Sequence, residues 1–263
     1  TPQPTHTPMN ARTTRMLLGL ALFLLACPQL ARAQFGPKQV IVQPNAVDAR
    51  SVFATDLDGD GDGDADMLSA SAGDDKIAWY ENQGGGTFGP QQVITTNAAN
   101  AKSVFATDLD GDGDADVLSA SGTFNSGKIA WYENQGGGSF GPQDTITTNA
   151  DGAQSVFATD LDGDGDADVL SASRDDDKIA WYENQGGGSF GPQDTLTTNA
   201  DGARSVYATD LDGDGDADVL SASEFDGKIA WYENQGGGSF GPQDTLTTNA
   251  DGALSVFATD LDG

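Results

Sequence analysis

After residue 50 the apolar positions of this chain fall in short runs, each broken by glycine or aspartate. Residues 155–198 show the pattern. Ser155-Val-Phe-Ala-Thr159 reads as one strand and Asp168-Val-Leu-Ser-Ala-Ser173 as a second. A polar turn at 174–177 leads to a third, Lys178-Ile-Ala-Trp-Tyr-Glu183. Asn184-Gln-Gly-Gly-Gly188 reads as a hairpin loop and residues 189–198 as a fourth strand. Pro192 there marks an edge or a strand start, because proline has no N–H to give a ladder. The runs are rich in β-branched and aromatic residues, and nothing after residue 34 has a helical period. Alternation places Ile179 and Trp181 on one face of the third strand, and Ala180 and Tyr182 on the other.

The four-strand unit repeats. Ser-Val opens each copy at 51, 103, 155, 205 and 255, and Trp79, Trp131, Trp181 and Trp231 mark the third strands. Residues 131–145, 181–195 and 231–245 are identical. Length differences fall in the first acidic loop and at 122–127, and stacked supersecondary units tolerate insertions in such loops. Four strands in about fifty residues match the blade of a propeller. The expectation is an all-β chain, a β-propeller of four-stranded blades over residues 34–263. Its units run 51–102, 103–154, 155–204 and 205–254, with a partial one at 255–263. Residues 35–42 match a fourth strand, the last unit stops within its acidic loop, and the first residue is not Met. This reads as an incomplete ring, a fragment of a longer reading frame.

Between the first and second strands of each unit lies an acidic motif. Asp160, Asp162, Asp164 and Asp168 fit D-x-D-x-D-G-x-x-D, with Gly165 sixth and Asp166 seventh. Carboxylates at alternate positions converge only if the backbone curls about one point, and a glycine at the sixth position permits the turn. Such a density of hard oxygen donors suits Ca²⁺, which takes 6–8 of them. Asp166 is expected to lend its backbone carbonyl. An EF-hand would need Glu at the twelfth position and flanking helices, but Ser171 stands there, before a strand. The same spacing gives Asp108, Asp110, Asp112, Asp114 and Asp116, and Asp210, Asp212, Asp214, Asp216 and Asp218. The first copy, 56–66, fits in two frames. The one anchored on the following strand is preferred, giving Asp58, Asp60, Asp62, Asp64 and Asp66; the one anchored on Leu57 would give Asp56, Asp58, Asp60 and Asp64. About one Ca²⁺ per complete repeat is expected.

Composition narrows the chemistry. Cys27 and His6 are single, and both precede Gln34. The segment after them therefore has no disulfide, thiolate nucleophile, imidazole base or Cys/His zinc site. Met9, Arg12 and Arg15, the apolar run 16–26, and Ala31-Arg32-Ala33 read as a secretory leader cleaved after Ala33 (residues 1–33). The run is too short to span a bilayer, so no membrane insertion of the mature chain is expected. Leu24-Leu25-Ala26-Cys27 also resembles a lipobox, which would leave a lipid on Cys27. Without the leader the formal charge of -29 falls to -32, since three arginines go with it. Nucleic acid and anionic membranes would be repelled.

The acidic motif, the Asp-Val-Leu after it and Trp-Tyr-Glu-Asn-Gln-Gly-Gly-Gly-Ser-Phe-Gly-Pro together resemble the FG-GAP / VCBS-type repeats. Those repeats occur in integrin α-subunit propellers and in many secreted microbial proteins. The resemblance covers 35–263 and implies a β-propeller with Ca²⁺ between the first two strands of a blade. It further implies a secreted or cell-surface role in adhesion or recognition, with a glycan or a surface protein as partner. A passive repeat scaffold, or an accessory domain of a larger secreted enzyme, is the alternative. No enzyme is expected. The acids, Glu81, Glu133, Glu183 and Glu233 among them, recur in every unit, whereas an active site is built once. Trp79, Trp131, Trp181, Trp231 and the tyrosines beside them read as blade core. The divergent turns at 122–127 and 224–227, each with a phenylalanine, are the first places to seek a specific ligand.

Overall fold

The computed structural model describes residues 46–261. The leader, Cys27, and the strand expected at 35–42 lie outside them. Sixteen strands form four antiparallel four-stranded sheets. Blade 1 holds β1 (Ala49–Thr55), β2 (Asp66–Ser71), β3 (Lys76–Tyr80) and β4 (Gln92–Thr95). Blade 2 holds β5 (Ala101–Thr107), β6 (Asp116–Thr123), β7 (Ser126–Tyr132) and β8 (Asp144–Thr147). Blade 3 holds β9 (Ala153–Thr159), β10 (Asp168–Ser173), β11 (Lys178–Tyr182) and β12 (Asp194–Thr197). Blade 4 holds β13 (Ala203–Thr209), β14 (Asp218–Ser223), β15 (Lys228–Tyr232) and β16 (Asp244–Thr247). Within each blade the strands pair in chain order, and β1, β5, β9 and β13 lie side by side. This is the propeller arrangement, and the described sheets form an open, unclosed series.

The fourth strand is shorter than the sequence suggests. It starts at Asp194 instead of Ser189. Residues before it hold the hairpin instead: Gly191 N–H donates to Glu183 O at 2.7 Å, and Phe190 makes an isolated bridge with Asn184. Pro192 then interrupts the ladder. The first strand begins two residues early, at Ala153, where Gly152 adopts a positive φ of 65° and the pairing shifts register.

Alternation decides which face meets which neighbour. Ile179 and Trp181 face blade 4, where they pack with Val206, Ala208, Val219 and Tyr232. Ala180 and Tyr182 face blade 2, beside Leu118, Ile129 and Trp131. The seam between blades 1 and 2 repeats this with Ile77, Trp79, Val104, Val117 and Tyr132. Trp79, Trp131 and Trp181 therefore each pack between blades, and truncating one costs about 3–5 kcal/mol. Edge-on rings reinforce the seams: Trp79 with Phe140, Trp131 with Phe190 and Trp181 with Phe240, at 6.1–6.5 Å. Along the innermost strands runs an aromatic ladder, Phe53, Phe105, Phe157, Tyr207 and Phe257, with centroids 4.7–4.9 Å apart.

One glycine fits each seam closely. A Cβ on Gly188 would sit 2.5 Å from the Trp131 ring, at a φ of +69°. Its neighbour Gly187 has a similar φ of +62° but open space around it. Gly187→Ala is expected to cost about 1–2 kcal/mol from backbone strain alone. Gly188→Ala is expected to cost about 1–3 kcal/mol more, because it also overpacks the seam. Urea unfolding of the two variants checks the difference; equal losses would contradict this packing.

Candidate metal centre

Each acidic loop joins the first two strands of its blade. The loop of blade 3 leaves β9 at Thr159 and enters β10 at Asp168, and those two residues pair. Asp160 heads it: its Oδ1 accepts from Gly163 N–H at 2.7 Å and its Oδ2 from Gly165 N–H at 3.0 Å. Gly165, the sixth residue, has a φ of 99°, which a side chain would strain. Asp162 and Asp164 each accept from the N–H two residues on, at 3.1 and 2.9 Å. Asp168 closes the loop from a fully buried position. Its Oδ2 accepts from Leu161 N–H and its Oδ1 from Asn184 N–H, both at 2.8 Å.

Three carboxylates converge in every loop. Asp108, Asp110 and Asp116 gather in blade 2, Asp160, Asp162 and Asp168 in blade 3, and Asp210, Asp212 and Asp218 in blade 4, with one oxygen of each within 4.8 Å of the others. Asp112, Asp164 and Asp214 stay outside these sets, turned onto their own backbone. Asp114, Asp166 and Asp216 lie over the first glycine of the hairpin loop, at Gly136, Gly186 and Gly236.

The first loop corrects the frame chosen from sequence. Its gathered set is Asp56, Asp58 and Asp60, so Asp56 and not Asp58 is the head. Asp56 accepts from Gly59 N–H at 2.8 Å, as Asp108, Asp160 and Asp210 do from the glycine three residues on. The foot stays at Asp66, which takes Leu57 N–H and Asn82 N–H. Buried Leu57 fixes one end of the loop and β2 the other, so the two extra residues bulge between them. They add one more turn in which Asp60 and Asp62 accept from the N–H two residues on.

Burial and crowding act on these acids. Burial pushes Asp116 and Asp168 up to about 6, against the N–H bonds from Asn134 and Leu109 and from Asn184 and Leu161. Asp110 and Asp162 are also raised, first by burial; their own hydrogen bonds oppose it and neighbouring carboxylates add to it. Among the described residues no ion pair neutralises a loop carboxylate. Lys76, Lys178 and Lys228 pair instead with Asp74, Asp176 and Asp226 of the outer turns. Oxygen-only donors, convergent and without a cationic side chain, fit a hard divalent ion such as Ca²⁺.

Two partners of the loop were not read from sequence. One is the leucine at its second position. Leu57, Leu109 and Leu161 are each 1% exposed, inside the seam with the following blade. The other is the asparagine of Trp-Tyr-Glu-Asn, taken in the sequence only as a hairpin residue. Its recurrence in every unit, at 82, 134, 184 and 234, was the available signal.

A family model for FG-GAP-like repeats matches residues 58–119, 108–171, 160–221 and 210–263. No curated protein is significantly similar to the chain. Solved structures similar to it include the V. cholerae biofilm matrix protein Bap1 (23% identity, TM-score 0.48), matched over 78% of this chain and 30% of that one. A luciferin-regenerating enzyme matches at 12% identity and TM-score 0.49, over 79% and 65% of the two chains. Aleuria aurantia lectin, a fungal lectin with a six-bladed β-propeller, matches at 11% and 0.45, over 78% and 64%. The chain thus spans less than two thirds of each of these structures, and at this similarity none of them assigns it a function.

Asp168 supports the loop whether or not metal is bound. Measured in chelator, Asp168→Ala is expected to lose about 2–5 kcal/mol of unfolding free energy, because two buried N–H groups lose their acceptor. Asp164→Ala, on the exposed rim, is expected to stay within about 0.5 kcal/mol of the parent. Similar losses in both would contradict the role given to Asp168.

Proposed function

This chain belongs to the FG-GAP-like repeat family, and from that premise we propose that it is a secreted, calcium-stabilised recognition module that holds a glycan or a surface protein. The observation that carries the proposal is the convergence of three carboxylates in each of four loops with, among the described residues, no cationic side chain paired to them. Asp108, Asp110 and Asp116, with their equivalents Asp160, Asp162 and Asp168 and Asp210, Asp212 and Asp218, and in the longer first loop Asp56, Asp58 and Asp60, would hold the ion. Asp112, Asp164 and Asp214, with backbone carbonyls near the seventh residue, are the nearest further donors in sequence. Bound calcium supplies charge neutralisation and a fixed loop; extracellular modules need only a Kd of about 10⁻⁴–10⁻³ M for it.

Recognition would use what the metal loops hold in place. Between blades 3 and 4 a groove of about 390 Å³ is lined by Trp181, Asp194, Thr195, Ser239 and Phe240. Its counterpart between blades 2 and 3 holds about 210 Å³. Phe124 and Phe225, on the two divergent turns, are 72% and 64% exposed. The leader pattern at 1–33 supports secretion, with attachment through Cys27 as the variant of that route. Among the described residues no helix is long and apolar enough to cross a membrane. Repetition of the loop aspartates and of Glu81, Glu133, Glu183 and Glu233 from blade to blade supports a non-catalytic role. Near-identity of the blades favours a second reading, in which the module is a spacer or an accessory domain of a larger enzyme.

Thermal unfolding of the chain with EDTA, Ca²⁺ or Mg²⁺ tests the metal part. One site filled at about a hundred times its Kd adds ~2.7 kcal/mol, which for a domain of this size raises the midpoint by about 5–10 °C. A rise of at least that size is expected with Ca²⁺ and not with Mg²⁺; no calcium response in the folded protein would overturn it. A glycan panel screened with the intact, calcium-loaded protein tests the recognition part. Binding supports the recognition module, and silence across a broad panel favours the spacer.

A further inference from the structure

The loops are shared between blades. Asn134, in the hairpin of blade 2, donates through Nδ2 to Leu57 O in the loop of blade 1, at 2.7 Å. Asn184 of blade 3 does the same to Leu109 O, and Asn234 of blade 4 to Leu161 O, each at 2.7 Å. The three asparagines are buried, 0–1% exposed. Each also donates to its own blade, to Ala115, Ala167 or Ala217 O, at 3.1 Å. Through its backbone N–H each is tied to the closing aspartate of its own loop, Asp116, Asp168 or Asp218. One residue therefore joins two consecutive acidic loops.

The acceptor carbonyl is the second residue of the loop, between the first two gathered aspartates. The leucine that carries it is plugged into the same seam. Leu211 supplies an internal comparison: its loop has the same sequence, but no described asparagine reaches it, and it is 39% exposed where the other three are 1%. Asn82 supplies another. Its Nδ2 donates to Ala65 O in its own blade, and among the described residues it reaches no preceding loop.

We propose that the acidic loops at 56–66, 108–116 and 160–168 are each held in metal-binding shape by the blade that follows, with Asn134, Asn184 and Asn234 as their positioning residues. This rests on the calcium reading above. Groups behind the ligands that fix their orientation typically change metal affinity 10–100-fold when removed. Coupling is reciprocal, so a seam that raises calcium affinity is itself tightened by calcium to the same degree. Calcium then joins blade to blade as well as ordering single loops.

Calorimetric titration of the full chain with Ca²⁺ tests this. Asn184→Ala is expected to weaken one of the sites about tenfold, and to lower the thermal midpoint more in calcium than in EDTA. Asn82→Ala loses the same own-blade bonds and, among the described residues, no bond to another acidic loop, and is expected to change no site by more than about twofold, well short of that effect. Equal calcium affinities in the two variants, or equal midpoint losses with and without calcium, would overturn the proposal while leaving the calcium reading intact. A parent chain that binds no calcium would overturn both. If Asn184→Ala does not fold, Leu109→Ala opens the same seam and is read against Leu211→Ala by the same tenfold criterion.

Discussion

A buried carboxylate with both oxygens occupied organises each blade. Asp168 is the first residue of β10, shielded from solvent, and receives N–H groups from the acidic loop and from the β11–β12 hairpin loop. Burying a charge is costly unless hydrogen bonds meet it, and here two backbone donors do so. The arrangement fixes the distance between the two loops at one end of the blade. It holds Asp168 facing Asp160 and Asp162, and it holds Asn184 where it can reach the blade before. Asp116 and Asp218 repeat the pattern, and Asp66 does so around a longer loop.

The seams extend this from blade to blade. Apolar packing of Ile, Trp, Val and Tyr supplies most of the contact, and directed hydrogen bonds set its register. Besides the asparagines, Ser51, Ser103, Ser155 and Ser205 accept at 3.3–3.4 Å from the N–H of the next unit's valine. Lys128, Lys178 and Lys228 reach back to Asn97, Asn149 and Asn199 O of the preceding unit. A repeat built this way has stability that is nearly a sum of nearest-neighbour terms. Because the acidic loop lies at the seam, whatever fills it acts on those terms.

Much of this was legible in the chain. The period of the tryptophans and the alternation about Trp181 and Tyr182 led directly to four-stranded blades with one face to each neighbour. The sixth-position glycines carry the positive φ that the motif requires. Less legible was anything that depends on two units at once. In one repeat Asn184 reads as a turn residue; its bond to Leu109 spans 75 positions and follows only from stacking. The frame of the first loop failed for a related reason. The sequence offers the following strand and Leu57 as alternative anchors, whereas both hold at once: Leu57, buried by blade 2, fixes the head at Asp56, and the strand fixes the foot at Asp66. The fourth strand was overextended because Phe190 looks like a ladder residue, while it packs on Trp131 of the blade before.

Each described blade presents one gathered carboxylate set, proposed above as a calcium site. Equilibrium dialysis of the full chain against Ca²⁺, with the bound metal counted by atomic spectroscopy, addresses that proposal most directly. Four ions per chain, one for each gathered carboxylate set, is the predicted result. A folded chain that retains no calcium at millimolar concentration would contradict it.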